Sequence, residues 1–155
     1  MHGIISELNA QKHTSKALKP GTSIEFEGVK LSFYAAPRKA IPSMKRIPYL
    51  NNLYIADMES IGAMKMETML RRAKFRDYYD IYSIIKEGGD LNKMISAALE
   101  HSDHKLRTRG LLNMLTTGKN FIREKGFEEL QPVYDVTAYD IQEFVKYKLL
   151  ECKEE

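Results

Sequence analysis

The sequence predicts an α+β fold in which a small sheet comes first and a helical bundle follows. Three observations predict it. Apolar Ile24 and Phe26, then Val29, Leu31 and Phe33, alternate with polar neighbours across Glu27-Gly28, which is the pattern of two strands joined by a tight turn. From Asp57 onward the apolar period lengthens to that of a helix. Asp, Thr and Gly then recur at the places where helices start and stop.

In chain order, Ile4 to Leu8 reads as a short helical pattern and the polar stretch Gln11 to Gly21 as a loop. A β-hairpin is expected within Thr22 to Tyr34. Pro37, Pro42 and Pro48 are expected to break regular structure in a loop made basic by Arg38, Lys39, Lys45 and Arg46, and Leu53 to Ala56 reads as one more short strand. Asp57 can accept from free N–H groups of a helix running from Met58 to Arg72. A second helix carries Tyr78, Ile81, Tyr82 and Ile85 and stops at Gly88-Gly89; Asp90 opens a third through Met94, Ala97 and Ala98. Asp103 is the expected cap of a fourth through Leu111, Leu112 and Leu115, a short fifth is expected between Gly118 and Gly126, and Thr137 caps the last, with Ile141, Phe144, Val145 and Leu149 facing inward.

The chain's 155 residues, 43% hydrophobic and 29% charged, suit one compact unit with its own core. The net charge of +3, from 24 basic and 21 acidic side chains, leaves room for local basic patches without itself indicating a nucleic-acid partner. Cys152 is the single cysteine, so no internal disulfide supports the fold. No window approaches the roughly 18 continuous apolar residues of a membrane helix. Met1 to Lys19 lacks the apolar core of a secretory signal, and a cytoplasmic protein is expected.

The densest polar cluster within an apolar-patterned region is Lys65, Arg72, Arg76, Asp77 and Asp80. Lys65 lies four residues after Ile61 and four before Met69, on the stripe expected to face the core or a cleft. Arg72 follows seven residues after Lys65, and if the helix persists Arg76 extends the same face and three cations line one groove, with Asp77 and Asp80 one turn apart on the next helix as potential partners. Inward charges require mutual pairing or a charged ligand. Spacing alone leaves two readings open. One is an ion-pair network locking two helices, with Arg76 and Asp80 as the staple; the other is a phosphate site in which cations neutralise a nucleotide's polyphosphate.

The run Ala63-Met64-Lys65-Met66-Glu67-Thr68-Met69-Leu70-Arg71-Arg72-Ala73-Lys74-Phe75-Arg76-Asp77-Tyr78-Tyr79-Asp80-Ile81-Tyr82 resembles the signature of AbiEii/AbiGii-type nucleotidyltransferases, in which a Lys is followed by Arg and then by [RK]-D-x-x-D. Asp57-Met58-Glu59-Ser60-Ile61 is similar to the family's lead-in, and Val29 to Tyr34 to the strand and loop before it. The resemblance implies a small, incomplete nucleotidyltransferase-like sheet with its basic loop in residues 1–57, and a helical region carrying the signature and a C-terminal bundle in residues 58–155. It implies transfer of a nucleoside monophosphate from a nucleoside triphosphate, with Mg²⁺, to an RNA or other hydroxyl acceptor, as in toxins paired with an antitoxin. Lys65, Asp77 and Asp80 fall on the family's functional positions, and Lys65, Arg72 and Arg76 are the implied nucleotide-binding cations.

The family's opening Gly-Gly or Gly-Ser turn and Asp-x-Asp strand have no counterpart before Ser23. A truncated or degenerate member is therefore expected, or one completed by another chain, and no metal ligand is assigned. The alternative is a non-catalytic module that binds nucleotide, RNA or protein. The third carboxylate of the family falls at Ser32, a poor metal ligand, while Glu25 and Glu27 alternate with Ile24 and Phe26 and are expected to be solvated.

Among the histidines only His101 and His104 are close, and no zinc site is expected. The basic runs Arg38 to Arg46 and His104 to Arg109 are RNA-backbone candidates but read first as solvated surface. Tyr78 and Tyr82 follow the helical period and are expected in the core, as are the four methionines from Met58 to Met69.

Overall fold

A computed structural model describes residues 23–32, 46–51, 53–102 and 106–151 of the chain. The fold is α+β, with two small two-stranded sheets and five α-helices among the described residues. They divide into two compact units, the strands up to Ile55 in one and the chain from Ala56 in the other. The expected helix at Ile4 to Leu8, the loop at Gln11 to Gly21, Pro37, Pro42, Arg38, Lys39, Lys45, Asp103, His104 and Cys152 lie outside the described residues.

In the first unit, β1 (Ser23–Phe26) pairs antiparallel with β2 (Val29–Ser32), Ser23 opposite Ser32 and Phe26 opposite Val29. Both central residues of the turn are left-handed, Glu27 at φ 48° and Gly28 at φ 77°, as a two-residue hairpin requires. Glu25 and Glu27 are exposed, in keeping with solvated carboxylates. Ser32 spends its hydroxyl on Ser23, 2.8 Å away. The second sheet joins β3 (Arg46–Leu50) to β4 (Leu53–Ala56). Pro48 lies inside β3, which corrects the expectation that it breaks regular structure. Each strand of a two-stranded sheet has one unpaired side, where a residue without an N–H is tolerated.

In the second unit, helix α1 (Met58–Arg72) starts at Asp57, whose Oδ1 accepts from the Ser60 N–H at 2.8 Å. It buries Ala63, Met66 and Met69, while Met58 and Met64 stay exposed, so only half of that methionine group packs the core. Gly62 is buried where an added Cβ would meet the Met94 sulfur at 2.0 Å, so the missing side chain lets α3 (Leu91–His101) approach α1. Helix α2 (Phe75–Lys86) is the hub: Tyr78, Ile81, Tyr82 and Ile85 are buried at helical spacing. Asp90 caps α3 by accepting from the Lys93 N–H at 3.0 Å.

Helix α4 (Thr108–Leu115) starts later than the sequence suggests, after Arg107, which makes no side-chain cap bond. The helix expected between Gly118 and Gly126 is replaced by two 3-10 turns, Gly118–Asn120 and Phe127–Leu130, with Ile122 bridged to Lys74 between them. Phe121 and Phe127 from this segment both pack on α2. Phe121 stacks on Tyr78 at 4.3 Å, and Phe127 meets Phe75 and Tyr79 edge-on at 4.9 and 5.1 Å. The last helix, α5 (Ala138–Glu151), opens with a reciprocal cap: Thr137 donates from its N–H to Asp140 Oδ2 at 2.8 Å, and the Asp140 N–H returns to Thr137 Oγ1 at 3.2 Å. Ile141 and Val145 of α5 are fully buried.

Candidate functional site

The site is built at the corner where α1 turns into α2. Helix α1 stops because Ala73 adopts a left-handed conformation, φ 43° and ψ 47°, with its N–H donating to Met69 O at 2.9 Å. The chain reverses within two residues, so Lys65 and Arg72 on α1 face Asp77 and Asp80 on α2. The first helix ends at Arg72 as expected, so the condition under which Arg76 would add a third cation to its face is not met, and Arg76 belongs to the second helix.

Asp77 is the centre of the arrangement, with a side chain 0% exposed. Arg72 grips it with both arms of its fork, Nε donating to Oδ2 and Nη2 to Oδ1, each at 2.7 Å. Lys65 Nζ stands 3.6 Å from Asp77 Oδ1 and 2.5 Å from Asp80 Oδ2. A buried carboxylate without such partners would carry an uncompensated desolvation cost. Asp77 also sits in the first turn of α2, where the helix dipole favours negative charge. The hydrogen bonds to Asp77 hold the Arg72 guanidinium above its ordinary pKa. Behind the pair, the Tyr78 hydroxyl donates to Leu115 O at 2.6 Å, and burial pushes its pKa up.

The cations differ in what they can still reach. The side chains of Lys65 and Arg72 are 31% and 39% exposed, and Asp80 is 40% exposed. The outer part of the cluster therefore meets solvent while Asp77 is sealed beneath it. Arg76 is not part of the cluster. It turns toward Glu124, Nε to Oε1 at 3.9 Å, and its backbone N–H points at Glu124 Oε2 at 3.4 Å. The staple expected from Arg76 and Asp80 is thus replaced by Arg72–Asp77 and Lys65–Asp80. Sequence spacing gave no hint of Glu124, which comes from 48 residues further along.

The divalent cation implied by the sequence resemblance does not fit these carboxylates. Both Asp77 oxygens are taken by Arg72, and Lys65 lies against both aspartates. Among the described residues no group of three or more His, Cys, Asp or Glu side chains could hold a metal. No helix of the described residues is long and apolar enough to cross a membrane.

Comparison with known proteins adds to this geometry. A family model described as "Nucleotidyl transferase AbiEii toxin, Type IV TA system" matches residues 8–146, a span that includes the whole corner. An uncharacterized protein of Aquifex aeolicus is 24% identical over 83% of this chain, and the chain spans 59% of that relative's length. No solved structure matches.

Proposed function

Since the chain belongs to the AbiEii nucleotidyl transferase toxin family of type IV toxin–antitoxin systems, we propose that it serves nucleoside monophosphate transfer from a nucleoside triphosphate to a hydroxyl acceptor such as an RNA. Lys65 is the phosphate contact in this reading, with Arg72 beside it. Asp77 positions both cations, and Asp80 is the carboxylate that can face a substrate. A cognate antitoxin or a complementing chain is the protein partner, and the cytoplasm, where triphosphates and RNA coexist, is the place of action.

One observation carries the reading: a half-exposed lysine is held between two aspartates, one of them fully buried and fixed by a second cation. An ammonium anchored from below and open from above suits an incoming phosphate, because its position is set before the ligand arrives. Calorimetric titration with each of the four ribonucleoside triphosphates, with Mg²⁺ present, tests it. Saturable binding to the parent protein and its loss in Lys65→Ala are expected. Absence of binding to every triphosphate would remove the catalytic reading.

The complete engagement of Asp77 by Arg72 favours a second reading, in which the corner is a structural clamp in a non-catalytic binding module. In that case Lys65→Ala leaves all triphosphate titrations flat like the parent's, while Asp77→Asn still destabilises the fold.

A further inference from the structure

We propose that a cleft beside the α1–α2 corner, walled by Lys74, Arg76, Lys125 and Leu130, binds a phosphodiester of the acceptor nucleic-acid strand. The inference rests on the proposed transfer to an RNA acceptor, and assigns Arg76 to that strand instead of to the triphosphate.

The cleft has a volume of about 180 Å³ and is lined by Lys74, Arg76, Glu124, Lys125, Phe127 and Leu130, with Gly126 between them. Three cations and one carboxylate line the cleft, and the Glu129 carboxylate lies against Gly126 at its rim, so cations exceed carboxylates there by one. The Glu124 carboxylate is also a weak partner. Arg76 Nε and Glu124 Oε1 are 3.9 Å apart, both are buried, and neither makes a hydrogen bond. The contrast with Arg72, which makes two 2.7 Å bonds to Asp77, is a difference between a locked guanidinium and a loosely held one. The Arg76 side chain remains 42% exposed and makes no hydrogen bond to another described residue. Neither Lys74 nor Lys125 is ion-paired with a described residue. Lys74 is moreover the N-cap of α2 and provides no side-chain acceptor to it, so the positive end of a twelve-residue helix adds to the same field.

The size and walls of the cleft favour a strand over a free nucleotide. Whole-ligand pockets run from roughly 300 Å³ upward, so this space takes a phosphate and part of its sugar, with the exposed Leu130 side chain against the ribose. An open cationic groove with an apolar wall is how single strands are held without sequence preference. Arg76 immediately precedes Asp77 on α2, so a strand gripped here passes beside the corner that carries Lys65. The loop that supplies Lys125 is fixed in place by Phe127 on Phe75 and by Arg123, whose guanidinium lies over both rings at 5.7 and 5.0 Å.

The test uses the full chain and a Lys74→Gln/Lys125→Gln double variant. Binding of a short fluorescein-labelled oligoribonucleotide is followed by anisotropy over a salt series, and triphosphate binding by calorimetry. Removing two phosphate contacts from a single strand should make the log–log salt slope shallower by about 1.4 and weaken binding at least about tenfold at low salt. Triphosphate binding should not change. Both lysines lie at the surface or half-buried, and loss of a cation at a helix N-terminus does not weaken the helix, so thermal melting should be unaltered. An unchanged slope and affinity, or a parent protein that binds no RNA, would overturn the inference. So would a loss of triphosphate affinity with RNA binding intact, which would make the cleft part of the triphosphate site. If RNA binds with the predicted slope change while no triphosphate binds at all, the proposed transferase reading fails and with it the strand's role as acceptor, and the cleft is an RNA-binding site alone.

Discussion

Substituting Asp77 by Asn tests whether the corner is held by charge. The side chain is 0% exposed, and three nitrogens lie against it, two from Arg72 at 2.7 Å and one from Lys65 at 3.6 Å. Asn keeps the volume but removes the charge, and turns an amide N–H₂ toward the Arg72 fork. Removing one partner of a fully buried ion pair costs about 3–5 kcal/mol. Here the two cations are 39% and 31% exposed and recover hydration when released, so screening reduces the expected loss to about 2–3 kcal/mol. The assay is urea unfolding followed by circular dichroism, comparing midpoints at constant m. Lys65→Ala is the internal control: Arg72 still neutralises Asp77, and the Lys65–Asp80 contact is partly solvated, so its loss should stay below about 1 kcal/mol. A loss below about 0.5 kcal/mol for Asp77→Asn at unchanged m would refute the argument, because a surface-like value means Asp77 is not the buried centre of the corner.

Four further outcomes are expected. Ala73→Gly should stabilise the protein by up to about 1 kcal/mol in the same unfolding assay, since Ala73 holds φ 43° against its Cβ. Gly118→Ala should destabilise it by at least about 1–3 kcal/mol, because the new Cβ would lie 2.2 Å from the Ala138 carbonyl oxygen, a backbone atom that cannot swing away; the thermal midpoint reads this directly. Tyr78→Phe deletes the hydroxyl that donates to Leu115 O at 2.6 Å and should cost about 1–3 kcal/mol by leaving a buried carbonyl unpaired. The Lys93 N–H holds Asp90, and the Thr137 hydroxyl and N–H hold Asp140, below the ordinary carboxylate value of 3.8. Carboxylates depressed in the folded state stabilise it above their unfolded value and lose that contribution as pH falls through the folded one, so stability should drop below about pH 4 and NMR titration should find both groups ionised to lower pH than model aspartate.

Local chemistry made much of the helical unit legible. Asp57, Asp90 and Thr137 are short side chains that satisfy N–H groups within three residues of themselves, and an interaction that short in sequence is written in the sequence. The limits of α1, Met58–Arg72, follow from such a cap at one end and from the loss of period at the other. The hairpin of β1 and β2 was readable for the same reason, since its alternation and its Glu27-Gly28 turn are both local. Of the signature residues from Lys65 to Asp80, Lys65, Arg72, Asp77 and Asp80 gather at the corner and Arg76 does not.

Which charge meets which was decided by the tertiary structure. Spacing allowed Arg72 and Arg76 to share one face with Lys65, and it suggested Arg76 and Asp80 as partners. The left-handed Ala73 separated them, placing Arg72 on Asp77 and leaving Arg76 against Glu124. No propensity predicts an alanine in that conformation, which intrinsically costs energy and persists only where the surrounding packing compensates. The segment from Phe121 to Leu130 shows the same limit: its packing on α2 through Phe121 and Phe127 is long-range, and the helix suggested between two glycines does not form. That packing also brings Glu124 and Lys125 beside Arg76, across 48 residues of chain. The sequence by itself determined the class of fold, the helix starts at Asp57, Asp90 and Thr137, and four of the five residues expected to cluster, Lys65, Arg72, Asp77 and Asp80. Tertiary structure alone decided the ion-pair partners and the cationic cleft, because burial and long-range packing select among pairings that spacing leaves equal.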